Sequence, residues 1–320
     1  MKKQFTILQN SWITLKPRIK GLCIATYPGF LSWIHLSIIA TRPNNFKRKI
    51  AQKMLQDRNP RQTLFADKYK VRDFVSKQIG RTYLSNLLFT GTNLNSLDLS
   101  QLPSKYVIKP NHGSHAAIIV SPEYDIDNKL PIPRKSTGWN QYFIHPDSIE
   151  KKAVIQLTNY WLSLNYYKLP NKFHEWAYKN ISPTIIIEEF LQGIDGQVPE
   201  EYRFFMFNGE CELVYCYSNR FTADKITLLS PTGDVIQGKY MGMKSSSSFN
   251  KPAEFEKMLS LANKLSNGVN FIRVDLYLTN NGIIFSELTN YPMGALTQFK
   301  PKSLNRKLGK NWNLNEIADK

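Results

Sequence analysis

Cysteine is scarce, at three residues in 320 (Cys23, Cys211 and Cys216), with no CxxC pair and no even framework. A disulfide scaffold and a cysteine-held zinc are thereby excluded, and a reducing cytosol is the simplest setting. Familiar catalytic and nucleotide signatures are missing too. There is no GxGxxG, GxSxG or HExxH, and no HRD and DFG set. Gly233–Tyr240 (GDVIQGKY) fails as a phosphate-binding loop at its last position. Tyr240 cannot place a compact hydroxyl on Mg²⁺ as Ser or Thr does, and no strand–loop–helix pattern surrounds it. His112 and His115 stand three apart without a further metal-spaced ligand. Acids are nearly absent from residues 1–60, where eleven Lys or Arg face Asp57 alone, giving +10 of the total +17. The basicity is therefore mostly N-terminal. With no C2H2 spacing, RRM signature or basic heptads, no nucleic-acid partner is expected.

With 42% hydrophobic and 21% charged residues, the chain has a globular composition and the length for one large or two modest domains. Within the basic segment, Gly21–Ala40 runs twenty residues without a charge. At about 1.5 Å per residue a helix of that length spans a bilayer. Pro28-Gly29 breaks it, however, and positive clusters flank both ends, which disfavours a span. The late start and the lack of a small-residue cleavage site disfavour a signal peptide. A core helix is the plain reading. A segment resting on an anionic membrane is the sharper one.

Beyond residue 60, helices are expected over Asp67–Gly80, capped by Asp67 and ended by Gly80, and over Pro252–Asn267, with Phe255, Met258, Leu259, Ala262 and Leu265 on one face. A capping box, Asp147-x-x-Glu150, is expected to open another helix reaching about Leu164. Lys105–Lys109 reads as a short strand stopped by Pro110, and Pro183–Glu188 as a buried strand. Tyr202–Phe207 and Glu210–Tyr217 flank the two-residue turn Asn208-Gly209. No internal repeat is present, and Ser245–Ser248 reads as a loop.

The most informative stretch is Phe271–Gly294. A three-residue loop, Asn280-Asn281-Gly282, sets Asp275 opposite Glu287, Arg273 opposite Thr289 and Tyr277 opposite Phe285. Arg273, Asp275, Glu287 and Thr289 then share one face, while Ile272, Val274, Leu276 and Leu288 share the apolar one. Opposed carboxylates, with Cβ atoms about 5 Å apart, repel unless a cation lies between them. Either Mg²⁺ fills that role on oxygen ligands, or Arg273 forms a salt-bridge cluster with the acids. A two-residue turn would put the two acids on opposite faces.

Together, DKYKVRDFV, YVIKPNHGS, IIIEEFL, EYRFFMFNGE and RVDLY…IIFSELT, in order from about Asp67 to Gly309, resemble the ATP-grasp superfamily, and its TupA-like branch most closely. The resemblance implies an α+β fold of two subdomains closing on ATP. Residues 1–60 would precede it, with a first subdomain over 61–187 and a second over 188–310. It implies that Lys68 and Lys109 contact ATP phosphates, that Asn111, His112, Gly113 and Ser114 belong to a loop folding over them, and that Glu188, Glu189, Phe190 and Leu191 bind adenine. Glu201 would accept from the ribose. Asp275, Glu287 and Thr289 would hold Mg²⁺, with Thr289 standing where many relatives have Asn. Arg273 would steady the reacting phosphoryl or tetrahedral species, and Arg203 would reach phosphate or the acceptor carboxylate.

The implied reaction is ATP-dependent ligation of a carboxylate to an amine through an acyl phosphate, releasing ADP. The implied partners are ATP and a surface-polysaccharide acceptor, such as a uronic acid, with an amino acid or peptide. The place is the cytoplasm, with a peripheral position at the inner face of the membrane. A phosphoryl transferase on the same fold and a non-catalytic module for anionic membrane or glycan remain open alternatives.

Overall fold

Runs of isoleucine and phenylalanine with period-2 alternation build two sheets, and amphipathic helices cover them. The structure, a computed structural model, describes residues 36–41, 44–134, 138–169, 175–218 and 225–312. After a helical stretch over residues 36–40 come three helices: α1 (Phe46–Gln56), α2 (Arg61–Ala66) and α3 (Val71–Ile79). The first sheet comprises β1 (Leu87–Gly91), β2 (Tyr106–Pro110), β3 (Ala117–Val120), β4 (Gln141–Ile144) and, after α4 (Lys151–Ser163), β5 (Ile185–Glu189). Its spatial order is β1-β5-β2-β3-β4. Then follow β6 (Glu200–Phe207), β7 (Glu210–Ser218), β8 (Lys225–Leu229), β9 (Val235–Ile236), β10 (Lys239–Tyr240), β11 (Met243–Lys244) and α5 (Phe255–Ser266). The last elements are β12 (Phe271–Thr279), β13 (Gly282–Thr289), β14 (Phe299–Lys300) and α6 (Lys302–Lys310). The second sheet has the order β13-β12-β6-β7-β8-β9, and β11-β10-β14 form a small third one.

The two large sheets are two lobes of one α+β architecture, as the resemblance implies. In the first, Tyr106, Ile108, Ile185 and Ile187 pack with Val154, Leu157 and Trp161 of α4. Alternation along the strands leaves Lys109 and Glu188 on the opposite face. In the second, Ile272, Val274, Phe204 and Val214 pack with Phe255, Met258 and Leu265 of α5 and with Val71 and Val75 of α3. The other face of that sheet is divided. One half, with Phe205, Phe207, Leu213 and Phe271, packs on Phe46 and Ile50 of α1 and on Leu308 and Trp312. Phe46 meets Phe271 edge-on with ring centroids 5.1 Å apart. The other half carries the charged residues described below.

Leu36 is buried in the same core, and Ile39 and Ala40 pack against it, so the end of the Gly21–Ala40 run is core-facing there. Residues 21–35 lie outside the described residues, as does most of the basic segment before α1. No helix among the described residues is long and apolar enough to cross a membrane.

Several boundaries move for identifiable reasons. α3 starts at Val71 and not Asp67, because the Asp67 Oδ1 accepts from the Tyr69 and Lys70 amides and holds a turn ahead of the helix. Gly80 ends it at φ +106°, where a side chain would be strained. No capping box forms at Asp147, because Pro146–Ser148 is a 3₁₀ turn and Glu150 caps α4 without a side-chain bond. Pro110 closes β2 from within, opposite Ile185. In α5 Leu261 is buried in the position expected of Leu259, which is only partly covered.

Candidate active site

The β12–β13 hairpin reaches the expected pairing by an unexpected route. Thr279 pairs with Gly282, so the turn is the two residues Asn280-Asn281. That register continues through Tyr277–Ile284 and Leu276–Phe285, correcting the expected Tyr277–Phe285 pair. A bulge then takes up Ser286, and beyond it Asp275 faces Glu287 and Arg273 faces Thr289. Without that extra residue the two acids would lie on opposite faces.

Arg273 forks onto this group. Its Nε donates to Asp275 Oδ1 at 2.7 Å, and its Nη2 donates to Asp275 Oδ2, to Glu287 Oε1 at 2.9 Å and to Thr289 Oγ1 at 2.9 Å. Oxygens of three side chains thus converge on one cationic nitrogen. Thr289 Oγ1 also donates to Glu287 Oε1 at 2.7 Å. Asp275 is 0% exposed, whereas the Glu287 side chain is 38% exposed and reaches outward. Burial works against a Glu287 charge, but Arg273 and Lys68 outweigh it and hold the carboxyl down at about 2.

Beside this group, Asp275 pairs across the strands with Arg203, whose Nε lies 3.7 Å from Asp275 Oδ2. Arg203 donates through Nε and Nη2 to Glu201 Oε2 at 3.0 and 2.5 Å, and its guanidinium stands 5.3 Å from the Tyr215 ring centroid and 5.4 Å from that of Tyr217. Ser286 Oγ, on the bulge, donates to Glu201 Oε1 at 2.9 Å. The face therefore alternates Glu201, Arg203, Asp275, Arg273 and Glu287, a sequence of signs that keeps each buried charge compensated.

The first lobe supplies Lys109. Lys109 Nζ pairs with Glu188 Oε2, while Glu188 Oε1 accepts from Arg72 at 2.6 Å and from Ser85 Oγ at 2.9 Å. Burial pushes the Glu188 carboxyl up, but Lys109 and Arg72 outweigh it and leave it below the usual range. Glu189 instead holds the loop before β1, accepting from the Asn86 amide at 2.8 Å and from its side chain at 2.9 Å. Phe190 and Leu191 are half-buried just past β5. Lys68 Nζ donates to the Gly113 carbonyl. Burial lowers its pKa to about 8, and Glu287, Lys109 and Glu188 are among the charges it senses. Lys68, between α2 and α3, thus senses acids of both sheets, Glu188 of the first and Glu287 of the second.

The Asn111–Ser114 turn is packed more tightly than an open phosphate loop. The His112 ring is buried, with Nε2 3.1 Å from the Trp161 carbonyl, and burial depresses its pKa to about 4. Its imidazole points into the first-lobe core. A Cβ on Gly113 would lie 2.4 Å from Trp139 and 2.6 Å from Tyr166, so aromatic packing already demands glycine here. Ser114 Oγ bonds the Tyr166 hydroxyl at 2.6 Å.

Asn111, expected only as part of the phosphate loop, and Arg72 and Ser85, which sequence reasoning passed over, tie this region together. Asn111 donates to Asp67 Oδ1 at 2.9 Å and to the Ser182 carbonyl at 3.1 Å, and it accepts from the Thr184 amide at 2.8 Å. Its place after Pro110 in a strand-ending turn was the available signal. Arg72 and Ser85 lie far from Glu188 in sequence, so no local pattern announces them. Asn111→Ala is expected to cost about 2–3 kcal/mol in urea unfolding, because it strands several buried polar groups at once.

A metal fit can be judged from the donor set. Among the described residues no group of three or more His, Cys, Asp or Glu gathers. Two carboxylates and a hydroxyl, all hard oxygens converging on a cation, nevertheless suit Mg²⁺, which takes one or two carboxylates and completes its shell with phosphate and water.

The sequence model of a TupA-like ATP-grasp family matches residues 48–313. No curated protein matches. Among solved structures, similarity is found to a D-alanine–D-alanine ligase from Bacillus anthracis complexed with ATP, at 15% identity and TM-score 0.36, covering 71% of this chain and 54% of that one. The ligase of the same name from Helicobacter pylori gives 15% and 0.38, covering 78% and 62%. The ATP-grasp ligase PsnB, complexed with minimal precursor, Mg and ADP, gives 9% and 0.38, covering 72% and 52%. The chain spans between 52% and 62% of the length of these ligases.

Proposed function

Because the chain belongs to the TupA-like ATP-grasp family, we propose that it is an ADP-forming ligase that activates a carboxylate and joins it to an amine. The supporting observation is the convergence of Asp275, Glu287 and Thr289 oxygens on one cationic point beside Lys68. Mg²⁺ held by these oxygens would take the place that Arg273 Nη2 fills among them and would neutralise nucleotide phosphate charge. The chain's own residues do the rest. Lys68 and Lys109 hold the phosphates, and Glu188, Glu189, Phe190 and Leu191 frame the adenine end, with Glu188 tied to Lys109 and Arg72 so that the strand stays in register. Glu201 receives the ribose hydroxyls. His112 positions the phosphate-loop turn from beneath, while Gly113 and Ser114 offer it backbone groups.

The acceptor carboxylate attacks the γ-phosphoryl group, giving an acyl phosphate and ADP. The amine then displaces phosphate from the acyl carbon. Arg273, with Arg203 behind it, faces the charge that develops in both steps. No side-chain nucleophile is required. The acceptor is a surface-polysaccharide uronic acid, the amine an amino acid or peptide, and the N-terminal segment holds the enzyme at the inner membrane face. We place the lobe boundary after Glu189, the end of β5, because the expected division at 187/188 would cut that strand while Glu188 and Glu189 still pair with β2. The test is product analysis: ADP and free phosphate should appear only when carboxylate and amine are both present. Phosphate retained on the acceptor would instead identify a phosphoryl transferase.

Lys68 gives this reading a pH signature. Its ammonium is the active form, and burial brings its pKa to about 8. The value of kcat/KM for ATP should therefore fall above about pH 8, and Lys68→Arg should remove that limb. The same shift acts oppositely on stability. Between about 8 and the ordinary 10.5 the unfolded chain binds more protons at this group, so the fold gains stability as pH rises through that window.

A further inference from the structure

The small third sheet sets lysines side by side. In its register Lys239 faces Lys244 on one flank and Lys300 on the other, and all three are exposed. Like charges directly opposite one another across strands destabilise a sheet. The alternate residues Tyr240 and Phe299 point inward, into the core shared with α1. The ladder therefore lies on the outer side of the layer. Two residues after Lys300, α6 begins, and its exposed positions Lys302, Arg306 and Lys310 follow at i, i+4 and i+8. Residues 235–252 and 288–311 contain no Asp or Glu, and none of the ion pairs among the described residues involves these six cations.

We propose that this lysine ladder and the basic side of α6 form a docking surface for an anionic lipid bilayer. The path of the chain favours a bilayer over a soluble polyanion. α1 enters the fold against the end of α6, where a Cβ on Gly309 would lie 2.4 Å from the Asn45 Cα and where Lys49 Nζ donates to the Trp312 carbonyl. The segment that leads into α1 carries Lys2, Lys3, Lys16, Arg18 and Lys20, then an uncharged run from Gly21, of which Leu36, Ile39 and Ala40 are already taken up by the core. A bilayer accepts both charge and apolar side chains from adjoining parts of one protein, whereas a soluble polyanion accepts only the charge. This inference does not rest on the ligase reading.

The test is sedimentation of the full chain with vesicles of phosphatidylcholine, alone or mixed with phosphatidylglycerol. Binding should require the anionic lipid and weaken with salt. The triple variant Lys239→Gln/Lys300→Gln/Arg306→Gln should lose about fivefold in partition per charge, hence about 100-fold. A second triple, Lys77→Gln/Lys257→Gln/Lys264→Gln, removes as much charge from α3 and α5 across the second sheet and should leave partition nearly unchanged. Neither variant should melt below the parent, since both alter exposed side chains only and the first relieves the Lys239–Lys300 repulsion. Equal loss in the two triples, no loss in the first, or tighter binding of this face to soluble polygalacturonate than to vesicles would overturn the proposal.

Discussion

Replacing Glu287 by Gln is expected to lower ADP release by about 10²- to 10³-fold while moving unfolding stability by no more than about 1 kcal/mol. The asymmetry follows from where the side chain sits. Glu287 is 38% exposed, and its contacts with Arg273 and Thr289 lie within an otherwise complete network. A glutamine keeps an oxygen for those two donors. What it loses is the negative charge that Arg273 and Lys68 stabilise, the charge proposed to meet the metal. A coupled assay for ADP with a parallel urea titration measures both halves of the expectation. Activity within a few-fold of the parent would remove Glu287 from the chemistry.

Arg273→Met should be the opposite case, losing stability and activity together. Asp275 is 0% exposed and receives two bonds from Arg273. After the substitution only Arg203, at 3.7 Å, remains near it. A buried carboxylate left with one distant partner costs about 3–5 kcal/mol. Arg273→Lys keeps the charge but not the planar fork that reaches Asp275, Glu287 and Thr289 at once, so it should recover part of the stability with little activity. The double variant Arg273→Met/Asp275→Leu separates the two roles. With both charges gone and apolar volume in their place, most of the stability should return while ADP release stays absent. If the double variant is no more stable than Arg273→Met, the pair is not the source of the loss.

How far such a site can be read from sequence depends on the range of the interactions that build it. Period-2 alternation places Arg273, Asp275, Ile272 and Val274 on their correct faces, because strand faces are a local property. Turn length is less legible. Asn280-Asn281-Gly282 reads equally well as two or three loop residues, and the bulge that restores the acid pair sits at Ser286, inside a run that looks regular. The expectation for Asp275 and Glu287 therefore agrees with the structure through two offsetting departures, and Tyr277 exposes them by pairing with Ile284. Glu188 is legible as a buried acid ending an isoleucine strand, but its partners Arg72 and Ser85 come from a helix and a loop some hundred residues earlier. For His112 the sequence shows a polar residue in a glycine turn. Only the tertiary packing of Trp139, Trp161 and Tyr166 turns its ring inward.

The proposed chemistry needs Asp275 and Glu287 to hold a divalent ion against a nucleotide's phosphates. Electron paramagnetic resonance of Mn²⁺, titrated with and without ADP, tests it most directly. Tight Mn²⁺ binding should require the nucleotide and disappear in Glu287→Gln. Nucleotide binding that is equally strong without any metal, or Mn²⁺ binding unchanged in that variant, would contradict it.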